Sequence, residues 1–277
     1  MLHLLKLEWK KIYNYRPFQI IMLLFMIGLP LILMAAHNIV ERANPPKGMF
    51  SADTLVSFPS IWQYLGYIGS WMTFFFLGFM AVLSITNEFG NKTLRQNIIT
   101  GLSRRDYFKG KILFIATLAL VATIHYFLCG TVIGMIYTES FSMGNFTANL
   151  DFIPRFFLMS FGYMSIGLFI GMWIRRTGIA IVLFLAYGVF IEQILRWVVH
   201  MNAFKKLGIA MNKSVHYYPI NAMEDLAPIP FPDMIDNIAK NMDFYPFIEP
   251  MEAAILTVIY SGLFLFLAFR MICNRDL

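Results

Sequence analysis

The sequence predicts an all-α polytopic membrane protein: six transmembrane helices, N-in and C-in, preceded by an amphipathic interfacial elbow helix. Three observations predict it. First, the 277-residue chain is 58% hydrophobic and only 14% charged, where soluble domains average about 45–50% and about 25%; its mean hydropathy is +0.64. Second, six segments, about 18–37, 61–85, 112–137, 156–174, 178–199 and 252–272, are long and apolar enough to cross a bilayer, whose core of about 30 Å takes roughly 20 helical residues. Third, Lys and Arg collect in alternate connecting pieces. Spanning segments must satisfy their own backbone polar groups, which favours helices. Runs such as "FFFLGFMAVL" lack the alternation of a transmembrane β-strand.

Residues 1–17 form the first element. Leu2, Leu5, Trp9 and Ile12 fall on one side at helical spacing, with Lys6 and Lys10 elsewhere. Such a helix lies in the interface, apolar face in the acyl boundary and lysines at the headgroups. Pro17 is expected to end it. The apolar run that follows has no clear small-residue cleavage site, so it is expected to stay in the chain as the first span.

Orientation follows the basic residues of the short flanking pieces. With the N-terminus inside, the inner pieces hold fourteen of the 22 basic residues, including Lys6, Lys10, Lys11, Arg16, Arg175, Arg176, Arg270 and Arg275. Only four acids join them: Glu8, Glu88, Asp106 and Asp276. This inner surface suits anionic membrane lipids. Nucleic acid is not an expected partner, because no basic stripe with interleaved aromatics lies outside the membrane flanks.

Residues 86–111 then form the only long inner loop, carrying Glu88, Lys92, Arg95, Arg104, Arg105, Asp106, Lys109 and Lys111. "NKTLRQNIITG" reads as a short helix with Asn91 as N-cap and Gly101 as its stop. Leu94 and Ile98 share a face that lipid or a partner protein must cover. In "SRRD", Ser103 and Asp106 make a capping pattern that restarts the chain into the third span.

Further along, "GTVIG" (Gly130 to Gly134) and "GLFIG" (Gly167 to Gly171) permit close helix approach. In the fifth span Glu192 and Arg196 stand four apart and form an intramembrane pair. It is either structural, near the outer surface, or faces substrate or the dimer partner. Residues 200–250 make an outer loop with one or two short helices, including "PDMIDNIAKNM" from Asp233. Cys129 and Cys273 read as packing residues. The histidines have no metal-ligand spacing. With no P-loop and no nucleophile arrangement, the chain is expected to be no enzyme.

"EFGNKT" and "SRRDYFKGK" resemble the permease subunits of type-two ATP-binding-cassette exporters, with Glu88, Gly90, Thr93, Arg104 and Lys111 at the motif positions. The six-span plan and the large outer loop agree along the whole chain. The resemblance implies a permease that moves an amphipathic, lipid-like or peptide substrate in a bacterial cytoplasmic membrane. It implies two cytoplasmic ATPase subunits per complex and a second permease, either a copy or a paralogue. ATP and Mg would sit on the ATPase and no cofactor on this chain. The 86–111 loop would be the coupling helix, its ATPase-coupling set being Glu88, Gly90, Thr93, Leu94, Arg95, Ile98, Arg104 and Lys111. Leu5, Trp9 and Ile12 would form the elbow, and spans one, two and five would line the dimer. The alternatives are an ATP-independent secondary transporter and a membrane scaffold without transport activity.

Overall fold

The computed structural model describes residues 2–43, 51–206, 213–230 and 247–274, and among these every regular element is helical. Six helices are long and apolar enough to cross a membrane. They are α2 (Arg16–Ala43), α4 (Ile61–Gly90), α6 (Arg104–Tyr137), the pair α7 (Met143–Thr147) and α8 (Phe152–Ile174), α9 (Thr177–His200), and α11 (Pro250–Asn274). Shorter helices join them: α1 (Leu2–Ile12), α3 (Ala52–Val56), α5 (Thr93–Ile99) and α10 (Pro219–Glu224). The helix from "PDMIDNIAKNM" lies outside the described residues.

Most observed spans overrun the apolar windows read from sequence. Hydropathy ends where charged residues begin, whereas the helical hydrogen-bond ladder continues through them. Arg104–Tyr137 is the clearest case, because its first two turns are polar and Ser103 caps them by accepting from the Asp106 N–H. The break after α1 also moves. It falls at residues 13–15, and Pro17 occupies the first turn of α2, where its missing N–H costs nothing.

Within a bilayer, lipid tails are as apolar as leucine, so helices associate through close packing and polar contacts. α4 and α8 are the inner pair: 72% and 67% of their central windows are buried, against 22% for α2, α9 and α11. α8 packs against α4, α6, α9 and α11. The glycines decide how close. A methyl at Gly167 would stand 2.6 Å from the Gly78 carbonyl oxygen, and one at Gly171 would stand 2.4 Å from Ile85 Cγ2. Both glycine pairs singled out in the sequence therefore pack helices inside one chain.

Large aromatics fill the rest of the interior. Tyr126 stacks on Phe156 at 4.4 Å and Phe74 on Phe184 at 4.8 Å. Two helices change pitch at this layer, with π-helical turns at Thr73–Leu77 in α4 and Ala186–Ile191 in α9. Gly188 lies against the Phe74 ring and Gly78 against Phe184, so the two irregular turns face one another.

α2 carries Pro30 in its interior. Proline has no N–H, so the carbonyl four residues back, that of Met26, loses its helical partner. His125 of α6 supplies the replacement: its Nε2 lies 2.9 Å from the Met26 carbonyl oxygen. A polar side chain in mid-span thus repairs a backbone defect on its neighbour.

α1 and the end of α11 lie at one end of the bundle. α1 packs on α6, and the Arg104 guanidinium donates to the Ile272 and Cys273 carbonyls at the end of α11. We refer to this as the terminal end. Replacing His125 with Leu should destabilise the chain by about 1–3 kcal/mol, the cost of a buried carbonyl left without a donor. Adding Pro30→Ala, which restores an N–H, should recover most of that loss. Unfolding in mixed SDS–detergent micelles measures both, and purely additive losses would refute the repair.

Candidate functional site

Four charges from three helices meet at the terminal end. Glu8 comes from the second turn of α1 and Lys11 from its last. Glu88 comes from the final turn of α4, and Lys111 from the second turn of α6. Lys111 Nζ lies 2.5 Å from Glu8 Oε2 and 2.6 Å from Glu88 Oε1. It also donates to the Ser84 carbonyl at 2.8 Å. Lys11 Nζ reaches Glu8 Oε1 at 2.7 Å and Glu88 Oε1 at 3.2 Å. The Tyr107 ring covers the pair, with its centroid 5.6 Å from each ammonium.

The cluster is formally neutral, and its centre is dry: Lys111 has no exposed surface, and Glu8 and Glu88 are 3% and 5% exposed. Taking such ions from water is costly, so the cluster is poor evidence of net stability. What it does is fix position. Lys111 has three acceptors, one on α1 and two on α4, and any slip of either helix strands a buried charge.

α5 is built onto this junction. α4 ends at Gly90, and the chain turns through Lys92 in a left-handed conformation (φ 55°) before α5 begins at Thr93. Asn91 is not the N-cap the sequence predicts: the position before the helix is Lys92, and no side chain caps it. The αL turn itself supplies the change of direction. Thr93 Oγ1 donates to the Glu88 carbonyl at 3.4 Å, tying α5 to the residue that holds Lys111. Gly101 closes α5 with φ +106°, as its type predicts. A Cβ at Gly90 would meet nothing within 4 Å, so packing does not require glycine there.

The apolar face of α5 turns inward. Leu94 is buried among Ile85, Tyr107, Phe108 and Leu168, with Ile98 half-buried beside it. The protein's own bundle therefore covers much of the face that the sequence offered to lipid or a partner. The residues left outside are Arg95, Gln96 and Ile99, the last 74% exposed. Next to them a recess of about 170 Å³ is lined by Glu88, Phe89, Lys92, Leu94, Arg95 and Arg175, with the Arg175 guanidinium 4.9 Å from the Phe89 ring centroid.

The α1 stripe is likewise engaged inside the chain. Ile12 is buried, Leu5 half-buried, and Trp9 packs edge-on against Phe18 at 5.9 Å and near Phe114 at 6.3 Å. The sequence pointed to Glu88 and Lys111 but missed Glu8, Lys11 and Ser84. For Glu8 a signal existed: it is an acid on the same helical side as Leu5 and Ile12, where an interfacial helix would place an apolar residue.

Glu192 and Arg196 do not form the pair that their spacing predicts. The Glu192 carboxylate accepts from the Ile220 and Asn221 N–H groups at 3.0 and 2.8 Å, at the start of α10. Arg196 donates to the Val215 carbonyl at 3.1 Å and to Gln193 Oε1 at 3.2 Å. Both side chains reach across to the 213–230 segment because its unpaired backbone groups compete better than an i+4 neighbour. This second polar region lies at the opposite end of the bundle from α5.

A bundle of six helices long and apolar enough to cross a bilayer defines a multi-pass membrane protein. The family model described as "ABC-2 family transporter protein" matches residues 4–191, about two thirds of the chain and all of the α1–α4–α5–α6 junction. The chain belongs to that family: it is a membrane permease of an ABC transporter, whose class works with an ABC ATPase subunit. No curated protein matches it.

Lys111→Met would leave two carboxylates in the dry cluster against one lysine. It should cost about 3–5 kcal/mol. Lys11→Met should cost clearly less, because the Lys11 side chain is 28% exposed and water can replace it. Comparing the two unfolding midpoints checks the ranking.

Proposed function

We propose that this permease couples ATP hydrolysis on a partner ATPase to the export of an amphipathic substrate, with α5 as the element the ATPase grips. The observation that carries the reading is the arrangement of α5. Its outward residues Arg95, Gln96 and Ile99 are free to dock, while its inward residue Leu94 and its preceding turn join the Glu88–Lys111 junction. A push on the exposed face is received by three helices at once, since α1, α4 and α6 all enter the cluster.

In this reading the terminal end faces the cytoplasm, as the distribution of Lys and Arg supports. α1 is the interfacial elbow: Leu7 and Tyr13 remain exposed and available to lipid. Two ATPase subunits bind a pair of permeases, and ATP with Mg stays on the ATPases. The membrane is a bacterial cytoplasmic one. The facing π-turns of α4 and α9 are the compliant points through which movement of the terminal end reaches the substrate path. Such turns hold their backbone in a less stable ladder, which makes them places where a helix can repack.

Glu88 and Arg104 are poor handles for testing this, since both are tied into the fold. Ile99 is the direct one. Ile99→Asp should cut recovery of the co-expressed ATPase in a detergent pull-down about tenfold, equivalent to ~1.4 kcal/mol, with the unfolding midpoint unchanged. Replacing residues 91–101 by a Gly/Ser linker should abolish capture. Full capture by both variants would move the docking surface off α5. By contrast, Leu94→Ala should lower stability by about 2–5 kcal/mol through cavity formation.

A further inference from the structure

At the opposite end of the bundle a half-open cavity of about 230 Å³ lies between α4, α9 and the 213–230 segment. Its walls include Tyr67, Trp71, Trp197 and Phe247 and two carboxylates, Glu224 and Asp225, with a third, Glu192, near enough to Glu224 to act on its charge. Two of these are already spent. Glu192 holds the first N–H groups of α10, as described above. Asp225 accepts from Asn221 Nδ2 at 3.0 Å and from the Ile248 N–H at 3.2 Å, with His216 Nδ1 3.6 Å away. Glu224 differs: it lines the cavity and, among the described residues, takes part in no hydrogen bond or ion pair.

Among the described residues the nearby guanidinium is that of Arg196, and it makes no ion pair with Glu224. Arg196 is 4% exposed, donates from Nε to Val215 and from Nη1 to Gln193, and lies 5.6 Å over the Trp197 ring. Burial, with Glu192 and Asp225 adding to it against the pull of Arg196, raises the Glu224 carboxyl to about 7. An unpartnered acid among aromatic rings is short of a cation, and ring faces attract alkylammonium groups as well. The cavity is smaller than the usual drug-sized pocket, so it suits a headgroup whose tail continues elsewhere.

We infer that this cavity binds the alkylammonium group of an amphipathic molecule, with Glu224 as counter-ion and Tyr67, Trp71, Trp197 and Phe247 as walls. Its meaning as a substrate site rests on the transport function proposed above; the binding itself does not. Glu224 also lines a small void with Ser70, Phe74, Tyr163 and Gly188. Occupancy is thereby felt next to the π-turns of α4 and α9.

The test uses the full chain, without ATPase, in phosphatidylglycerol nanodiscs, titrated calorimetrically with choline and with its uncharged isostere 3,3-dimethylbutan-1-ol. Choline should bind saturably and the isostere at least tenfold more weakly, as cation–π and ion pairing both require charge. Raising the pH from 6 to 8 should strengthen choline binding about tenfold, because a carboxyl with its pKa near 7 goes from mostly protonated to mostly ionised over that range. Glu192, Arg196, His216 and Asp225 also face the group, as do the phenols of Tyr67 and Tyr163. Glu224→Gln assigns the response to Glu224. It should weaken choline binding and flatten the pH response. Equal binding of choline and isostere, no saturable choline binding, or an unchanged Glu224→Gln protein would overturn the proposal.

Phosphatidylcholine discs distinguish the source. Choline binding that weakens there assigns the cavity to a lipid headgroup, and binding that persists assigns it to a soluble amphiphile. Failure of choline binding with ATPase capture intact removes the cavity proposal alone. Failure of capture with choline binding intact removes the coupling reading alone.

Discussion

A lysine with no exposed surface is stable as a charge only where acids surround it, and the terminal end of this protein is organised around that constraint. Lys111 draws Glu8 and Glu88 into the interior, and with them come α1 and the end of α4. Lys11 then restores neutrality from the rim. The position of α5 follows, because its first residue bonds to the Glu88 carbonyl and its apolar side closes over Tyr107 and Phe108. The cluster does for this end of the bundle what hydrophobic collapse does for a soluble domain. Inside a membrane, apolar burial no longer discriminates between lipid and protein. Charge pairing and close contact have to define the register instead.

The same logic holds deeper in the bundle. Pro30 and His125 are each unfavourable alone in a spanning helix, and together they give the Met26 carbonyl a partner. Gly167 and Gly171 let α8 approach α4 to backbone contact distance, which places the two facing π-turns within one aromatic layer. α4 and α8 are thus a close-packed pair at their terminal halves.

The six spans were legible because hydropathy acts over whole helices, and the restart at Ser103 because its capping pattern is local. The helix ends were less legible, since a polar turn continues a helix without a hydropathy signal. Among the site residues, Glu88 and Lys111 stood out as charges beside apolar runs, but nothing local shows that Glu8, about eighty residues away in the chain, completes them. The inward turn of Leu94 and the partners of Glu192 and Arg196 depend on tertiary neighbours. Spacing of four along a helix shows which residues are adjacent on its surface, not what competes for them.

The membership of the ion cluster also constrains how the protein is made. Glu8 and Lys11 are synthesised first and pair within one helical turn, so α1 emerges with its acid already neutralised. Glu88 and Lys111 follow on the two helices flanking α5 and neutralise each other as that hairpin enters the bilayer. Each half can therefore pass through the insertion machinery as a self-compensated unit. When the two halves meet, Lys111 gains Glu8 while keeping Glu88, and Lys11 gains Glu88 while keeping Glu8. Assembly of the junction thus joins two pairs that are each already neutral.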